Sequence, residues 1–174
     1  MLERLTVRDL ALVEHAEIEL GRGLHVVTGE TGAGKSMIVD SLGLLVGARA
    51  DADVVREGAK AASVQGEFRL DTAVARRVGT LLEEWGSEFD GETLIVRREV
   101  SAEGRSRALV NDASVTVASL RRLGEPLLDL HGQHEHQSLL RDGAALATLD
   151  RLGGLEPERA GYADTLAAWR EAEA

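Results

Sequence analysis

Residues 29 to 36 read GETGAGKS, which satisfies the spacing G-x-x-x-x-G-K-[ST]. The context that gives this pattern meaning is also present: a short apolar run before it and an apolar helical run after it. Each residue type has a chemical reason. Gly32 and Gly34 let the backbone take positive φ, so that successive N–H groups from Gly29, Glu30, Thr31, Gly32, Ala33 and Gly34 converge on a phosphate. The following helix adds the positive end of its dipole. Lys35 is placed to reach the β- and γ-phosphates, and the Ser36 hydroxyl to ligate Mg²⁺. Of the 20 basic residues only Lys35 and Lys60 are lysine. A chain that otherwise uses arginine keeps a compact ammonium here, where a planar guanidinium is no substitute. The reading is a nucleotide-binding loop.

A second constellation, DLHGQHEHQ, spans residues 129 to 137. Its histidines, His131, His134 and His136, invite a metal site, but they fall at a strand end and in a loop, without cysteine or a helical H-x-x-x-H pair. An amide just beyond a buried strand and facing the phosphate loop is the better candidate: Gln133, with Gln137 second, could offer a carbonyl oxygen to Mg²⁺. In GARADADVVREG, Arg49 and Arg56 could approach a nucleotide or a neighbouring subunit's phosphates, and serve equally well as solvated loop arginines.

The elements that must position these residues follow from periodicity. ERLTVRDL and HAEIEL alternate as strands, the second with Ala16, Ile18 and Leu20 on one face. GRG is a turn, and LHVVTG reads as a short buried strand feeding the loop. KSMIVDSLGLLVG predicts a buried helix ending at Gly47. ASVQGEFRL is a half-buried strand, and residues 72 to 86 are helical. ETLIVRREV and SRALVND form a hairpin around SAEGR. SVTVASLRRLG is a helix with Ser114 or Thr116 as N-cap and Gly124 as C-cap, followed by a strand in PLLDLHGQ. The fold class is therefore α/β, an antiparallel layer from the opening strands and segments 61–70, 92–100 and 105–111 beside the phosphate-loop strand and helix.

At 174 residues the chain can hold one domain with a sizeable core. Aromatics make up 3%, so Leu, Val, Ile and Ala must build that core, and the absence of cysteine excludes disulfides and fits a reducing cytoplasm. No signal-peptide pattern opens the chain, and no run nears the ~18 apolar residues of a membrane span, so a soluble protein without a membrane partner is expected. The net charge of −10 argues against bulk attraction to DNA. From Pro157 onward, Tyr162, Leu166 and Trp169 form a helical stripe that stops without a cap, which reads as a helix whose continuation is missing.

LTVRDLALVEHAEIEL, GLHVVTGETGAGKSMIVDSLGLLVGARADADVVREG, NDASVT and LLDLHGQHEHQSLL together resemble the N-terminal part of the RecN family of bacterial DNA repair proteins, over residues 1 to about 155. That family is similar to the structural-maintenance-of-chromosomes (SMC) ATPases, with an ABC-type head on a coiled coil. The resemblance implies a P-loop NTPase lobe over 1–155 and the start of a coiled-coil arm over 156–174. It makes Gly29–Ser36 the Walker A loop and Gln133 the Q-loop glutamine, with ATP and Mg²⁺ as cofactors. Implied partners are the C-terminal half of the same head, a second copy joined by ATP, and DNA through residues outside this segment, in a nucleoid-associated, cytoplasmic protein. No Walker B run ending in Asp-Glu and no signature motif is found, so the catalytic carboxylates are unknown and this segment alone is expected not to hydrolyse ATP. With the other half of the head elsewhere, it is also expected to expose apolar surface. A self-contained P-loop kinase or GTPase-like switch remains the alternative, although an N-K-x-D guanine motif is absent. A module whose loop is purely structural is the third reading.

Overall fold

The computed structural model describes residues 1–29, 34–87, 89–128, 130 and 144–173. Two compact units divide the chain, Met1–Leu130 and His131–Ala174. The first unit is a six-stranded antiparallel sheet with helices on one face. In chain order its elements are β1 (Leu2–Leu10), β2 (Val13–Glu19), α1 (Lys35–Leu45), β3 (Ala61–Arg69), α2 (Thr72–Glu84), β4 (Thr93–Ser101), β5 (Ser106–Val110), β6 (Ala113–Val115) and α3 (Val117–Leu127). The spatial order is β2-β1-β3-β4-β5-β6.

Alternation decides which face is buried. On β3, Ala62, Val64 and Phe68 point to the helices, and Val64 pairs with Val7 on β1 and Arg98 on β4. On β1, Leu2, Leu5, Val7 and Leu10 are all buried although their spacing is not strictly two. A register shift between Leu2 and Arg4 and the positive φ of 49° at Asp9 return both ends of the strand to the core face. Ala16 and Ile18 on β2, and Leu20 just beyond its end, pack against the same core, as their alternation predicts. The opposite face is a solvated ladder in which Arg4 meets Glu17 at 3.3 Å and Glu19 at 3.1 Å, and Arg97 donates to Gln65 at 2.9 Å.

Four expectations need correction. LHVVTG forms no strand: residues 21–29 carry none and are all exposed, with Leu24 at 90% and Val26 at 73%. A strand needs a neighbour for its backbone groups, and among the described residues none pairs with this run. Gly124 is not a C-cap, because α3 runs on to Leu127 with Pro126 inside it. PLLDLHGQ accordingly opens as the end of that helix, and its later residues fall partly outside the described set. Finally, SRALVND is interrupted. Asn111 and Asp112 take φ of 45° and 62°, the two-residue turn that folds β5 back onto the short β6, with Val110 opposite Ala113.

Caps start two of the helices. Thr116 accepts from the Ser119 N–H at 3.0 Å, which settles the N-cap of α3 on Thr116. Asp71 accepts from Ala73 and Val74 at 3.0 and 2.9 Å at the head of α2. Asp71→Ala should lower stability by about 1 kcal/mol in chemical denaturation, with Asp71→Ser close to wild type.

In the second unit, α4 (Ala144–Gly153) and α5 (Glu156–Glu173) are joined through Gly154 at φ 66°. Leu155 N–H bonds the Asp150 carbonyl at 2.8 Å, and Arg159 lies 3.7 Å from the Asp150 carboxylate. On α5, Tyr162 and Trp169 of the predicted stripe are 69% and 57% exposed, and Leu166 between them is half-buried. No described helix is long and apolar enough to cross a membrane.

Candidate functional site

The phosphate-loop residues that the structure describes are Gly29, Gly34, Lys35 and Ser36. Gly34 is the N-cap of α1 at φ 87° and ψ 1°, a left-handed conformation that favours glycine. Among the described residues no side chain caps this helix, unlike α2 and α3, whose Asp71 and Thr116 cap from within the chain, and its first turn holds no acidic residue. The first helical bond runs from Ile38 N–H to the Gly34 carbonyl at 3.3 Å. The N–H groups ahead of it are the orphan donors of a helix start, and they carry the positive end of the dipole. The Lys35 ammonium donates to the Gly29 carbonyl and so spans the loop from its last part to its first residue. The Ser36 side chain is at an exposed position beside it.

The far end of α1 is what holds this N-terminus in place. Its buried residues, Ser41, Gly43, Leu44 and Leu45, all lie in the second half. Leu45 fills the notch left by Gly66 on β3: a Cβ on Gly66 would lie 2.7 Å from the Leu45 Cδ1. Gly47, at φ 85°, closes a Schellman turn with bonds from Gly47 N–H to the Leu44 carbonyl and from Ala48 N–H to the Gly43 carbonyl. The backbone of Arg121 on α3 packs directly on Gly47, and Gly124 packs on Val46. Sequence reading marked Gly47 as the stop but missed the Gly66 notch and the Gly124 contact, since neither has a local signal.

The two loop arginines have partners inside the chain. Arg49 lies 3.3 Å from Asp51 in its own loop. Arg56 meets Glu14 at 3.4 Å and Asp9 at 3.9 Å, and its N–H bonds the Asp9 carbonyl at 2.9 Å, tying the loop to the β1–β2 turn. Glu30, Thr31, Gly32, Ala33, Gln133, Gln137, His131, His134 and His136 lie outside the described residues. Of the expected Mg²⁺ ligands, Ser36 is described and Gln133 is not. The residues present fit a phosphate: an uncapped helix start, a left-handed glycine and an ammonium converge on one place.

The AAA domain family matches residues 4–124. The chain belongs to this family. It is 42% identical over 160 residues to the DNA repair protein RecN of Bacillus subtilis, covering 92% of this chain and 27% of that relative. Against RecN of Streptomyces coelicolor it is 47% identical over 152 residues, covering 86% of this chain and 26% of the relative. The resemblance read from the motifs thus extends over nearly the whole AAA chain, which spans under a third of the length of the curated relatives it matches. Among solved structures, one from work on the ATP-driven dimerization and DNA stimulated activation of SMC ATPases superposes with a TM-score of 0.57 at 21% identity, over 72% of this chain and 78% of that one. The Smc head of Pyrococcus furiosus, solved with the C-terminal domain of ScpA, gives 0.56 at 22%, over 72% of this chain and 32% of that one. The recombination mediator RecF bound to ATP gives 0.51 at 16%, over 66% and 27%. The fold is accordingly α/β, the fold seen in the N-terminal lobe of SMC-type heads with its antiparallel subdomain.

Proposed function

We propose that this AAA chain is the ATP-binding half of a RecN-like ATPase head acting in DNA double-strand break repair and recombination. The observation that carries the reading is the head of α1. Gly34, Lys35 and the uncapped first turn present a phosphate cradle in a chain that matches RecN proteins over about nine-tenths of its length. The backbone from Gly29 to Gly34 cradles the phosphates. Lys35 would exchange the Gly29 carbonyl for β- and γ-phosphate oxygens, and Ser36 and Gln133 would hold the metal. Bound Mg²⁺ supplies neutralisation of charge on the phosphate oxygens.

Residues 1–155 form the nucleotide-binding lobe and 156–174 the start of a coiled-coil arm. The carboxylates that polarise the attacking water, and the signature motif that closes over the γ-phosphate of a second head, belong to the C-terminal half. The exposed run Leu24, Val26 and Val27 supports this arrangement, because its backbone and apolar side chains await a neighbouring strand. ATP then joins two heads, and DNA binds through residues outside this chain in a cytoplasmic, nucleoid-associated protein. The kinase and GTPase alternatives gain no support from the RecN, SMC and RecF likenesses.

The test is turnover measured with and without the C-terminal half. Calorimetry on the chain alone should show saturable Mg²⁺-ATP binding, while phosphate release stays at background. Adding a polypeptide with the segments that the relatives carry beyond this region should raise turnover at least tenfold. Robust hydrolysis by the chain alone would sink the half-head reading.

A further inference from the structure

Arg98 stands where the strand pattern calls for an apolar side chain. It follows Leu94 and Val96 and precedes Val100 on the core face of β4, opposite Val64 on β3 and Ala108 on β5. It is 2% exposed, and its Nε and Nη1 are buried without a hydrogen-bond partner. A guanidinium has five N–H donors, no acceptor, and keeps its proton in proteins. An uncompensated buried charge of this kind opposes folding, so its retention calls for something that meets it.

The surroundings supply more positive charge. Desolvation lowers the pKa of Arg98, and the charge of Arg121 lowers it further. Arg121 sits at the exposed rim on α3, where its Nη2 donates to the Gly47 carbonyl at 3.1 Å. That bond fixes the second guanidinium at the C-terminal end of α1. Among the described residues neither arginine has an ion-pair partner.

We propose that Arg98 and Arg121 form an oxyanion seat, taking a carboxylate-class ligand, at the junction of β4, α3 and the end of α1. The chemistry of the fork favours this class. Nε and Nη1 lie to either side of Nη2, so an oxyanion that meets Nη2 reaches a second N–H along either edge, as planar carboxylates do. Arg121 gives the seat its opening to solvent. The carboxylate can come from an acidic side chain of the longer polypeptide or from a small free anion. The site is separate from the phosphate loop and does not rest on nucleotide binding.

Arginine-selective NMR of the Nε–H groups tests it, with Arg98 assigned through Arg98→Lys. In this chain the Arg98 signal should move saturably on titration with sodium acetate, and with inorganic phosphate as a second probe, at constant ionic strength. Arg121→Gln should weaken that response about tenfold, and Lys35→Ala should leave it unchanged. A polypeptide extended to the relatives' length separates the sources. A signal already displaced and indifferent to added anion identifies a protein carboxylate in the seat, whereas a continuing response identifies a small anion as the ligand. The proposal is overturned if no signal moves in the chain, none is displaced in the longer polypeptide, and Arg98→Met raises the melting temperature of both.

Discussion

Lys35→Ala should weaken Mg²⁺-ATP binding by on the order of a hundredfold, with far-UV circular dichroism and melting temperature close to wild type. The two halves of this result have different causes. The ammonium donates to the Gly29 carbonyl at an exposed site, and Lys35 is not among the buried residues of α1. Against phosphate oxygens the same group makes charge-assisted hydrogen bonds, each roughly twice as strong as a neutral one. Lys35→Arg keeps the charge and should still bind poorly, because a rigid fork cannot occupy the space of a compact ammonium beside the first helical turn. Binding by Lys35→Ala at wild-type affinity would remove the loop from the nucleotide site and leave the structural-loop reading.

Two glycines in helices should respond to alanine with opposite sign. Gly124→Ala is expected to destabilise the chain by about 1–3 kcal/mol. Its Cβ would lie 2.6 Å from the Val46 Cβ and 2.8 Å from the Val46 Cα, so backbone as well as side chain must move. The intrinsic gain of roughly 1 kcal/mol for alanine over glycine in a helix does not offset that. Gly79→Ala, in the middle of α2, meets nothing closer than the Phe89 Cδ1 at 3.9 Å, and should therefore stabilise by about 0.5–1 kcal/mol. Urea denaturation of the pair decides the matter. Equal effects would mean that the α1–α3 contact is looser than its geometry.

What could be read beforehand divides by the range of the interaction. Strand alternation at Ala16, Ile18 and Leu20, or Val64 and Phe68, is written locally, and those residues lie where the period of two puts them. The cap at Thr116 is also local chemistry. LHVVTG forms no strand here because its apolar run says that a neighbour is wanted and not whether the neighbour lies within these residues. Gly124 looked like a helix end because a glycine near a proline commonly is one, whereas here its missing side chain admits Val46, more than seventy positions earlier. Arg98 is visible in the sequence as a charge inside a strict alternation, but recognising the strand needs only its apolar members, so nothing local marks the charge as buried. At the site itself, the loop glycine and lysine carried their chemistry in plain spacing. Of the three glycines that hold α1 in place, Gly47 is legible as the helix stop, whereas Gly66 and Gly124 act through what they leave out and carry no local signal.

Those three glycines give α1 the mechanics of a cantilever. Clamped at Leu45, Val46 and Gly47, the helix has no fully buried residue before Ser41, and its Lys35 end rests on the core only through the half-buried Met37 and Ile38. Eleven residues make a beam about 16 Å long, so a tilt of about 10° at the clamp displaces the free tip by about 3 Å. A small rotation where α1 meets α3 and the sheet therefore becomes a whole bond-length-scale excursion at the phosphate end, and stiffness at the clamp sets the accuracy with which that tip is aimed.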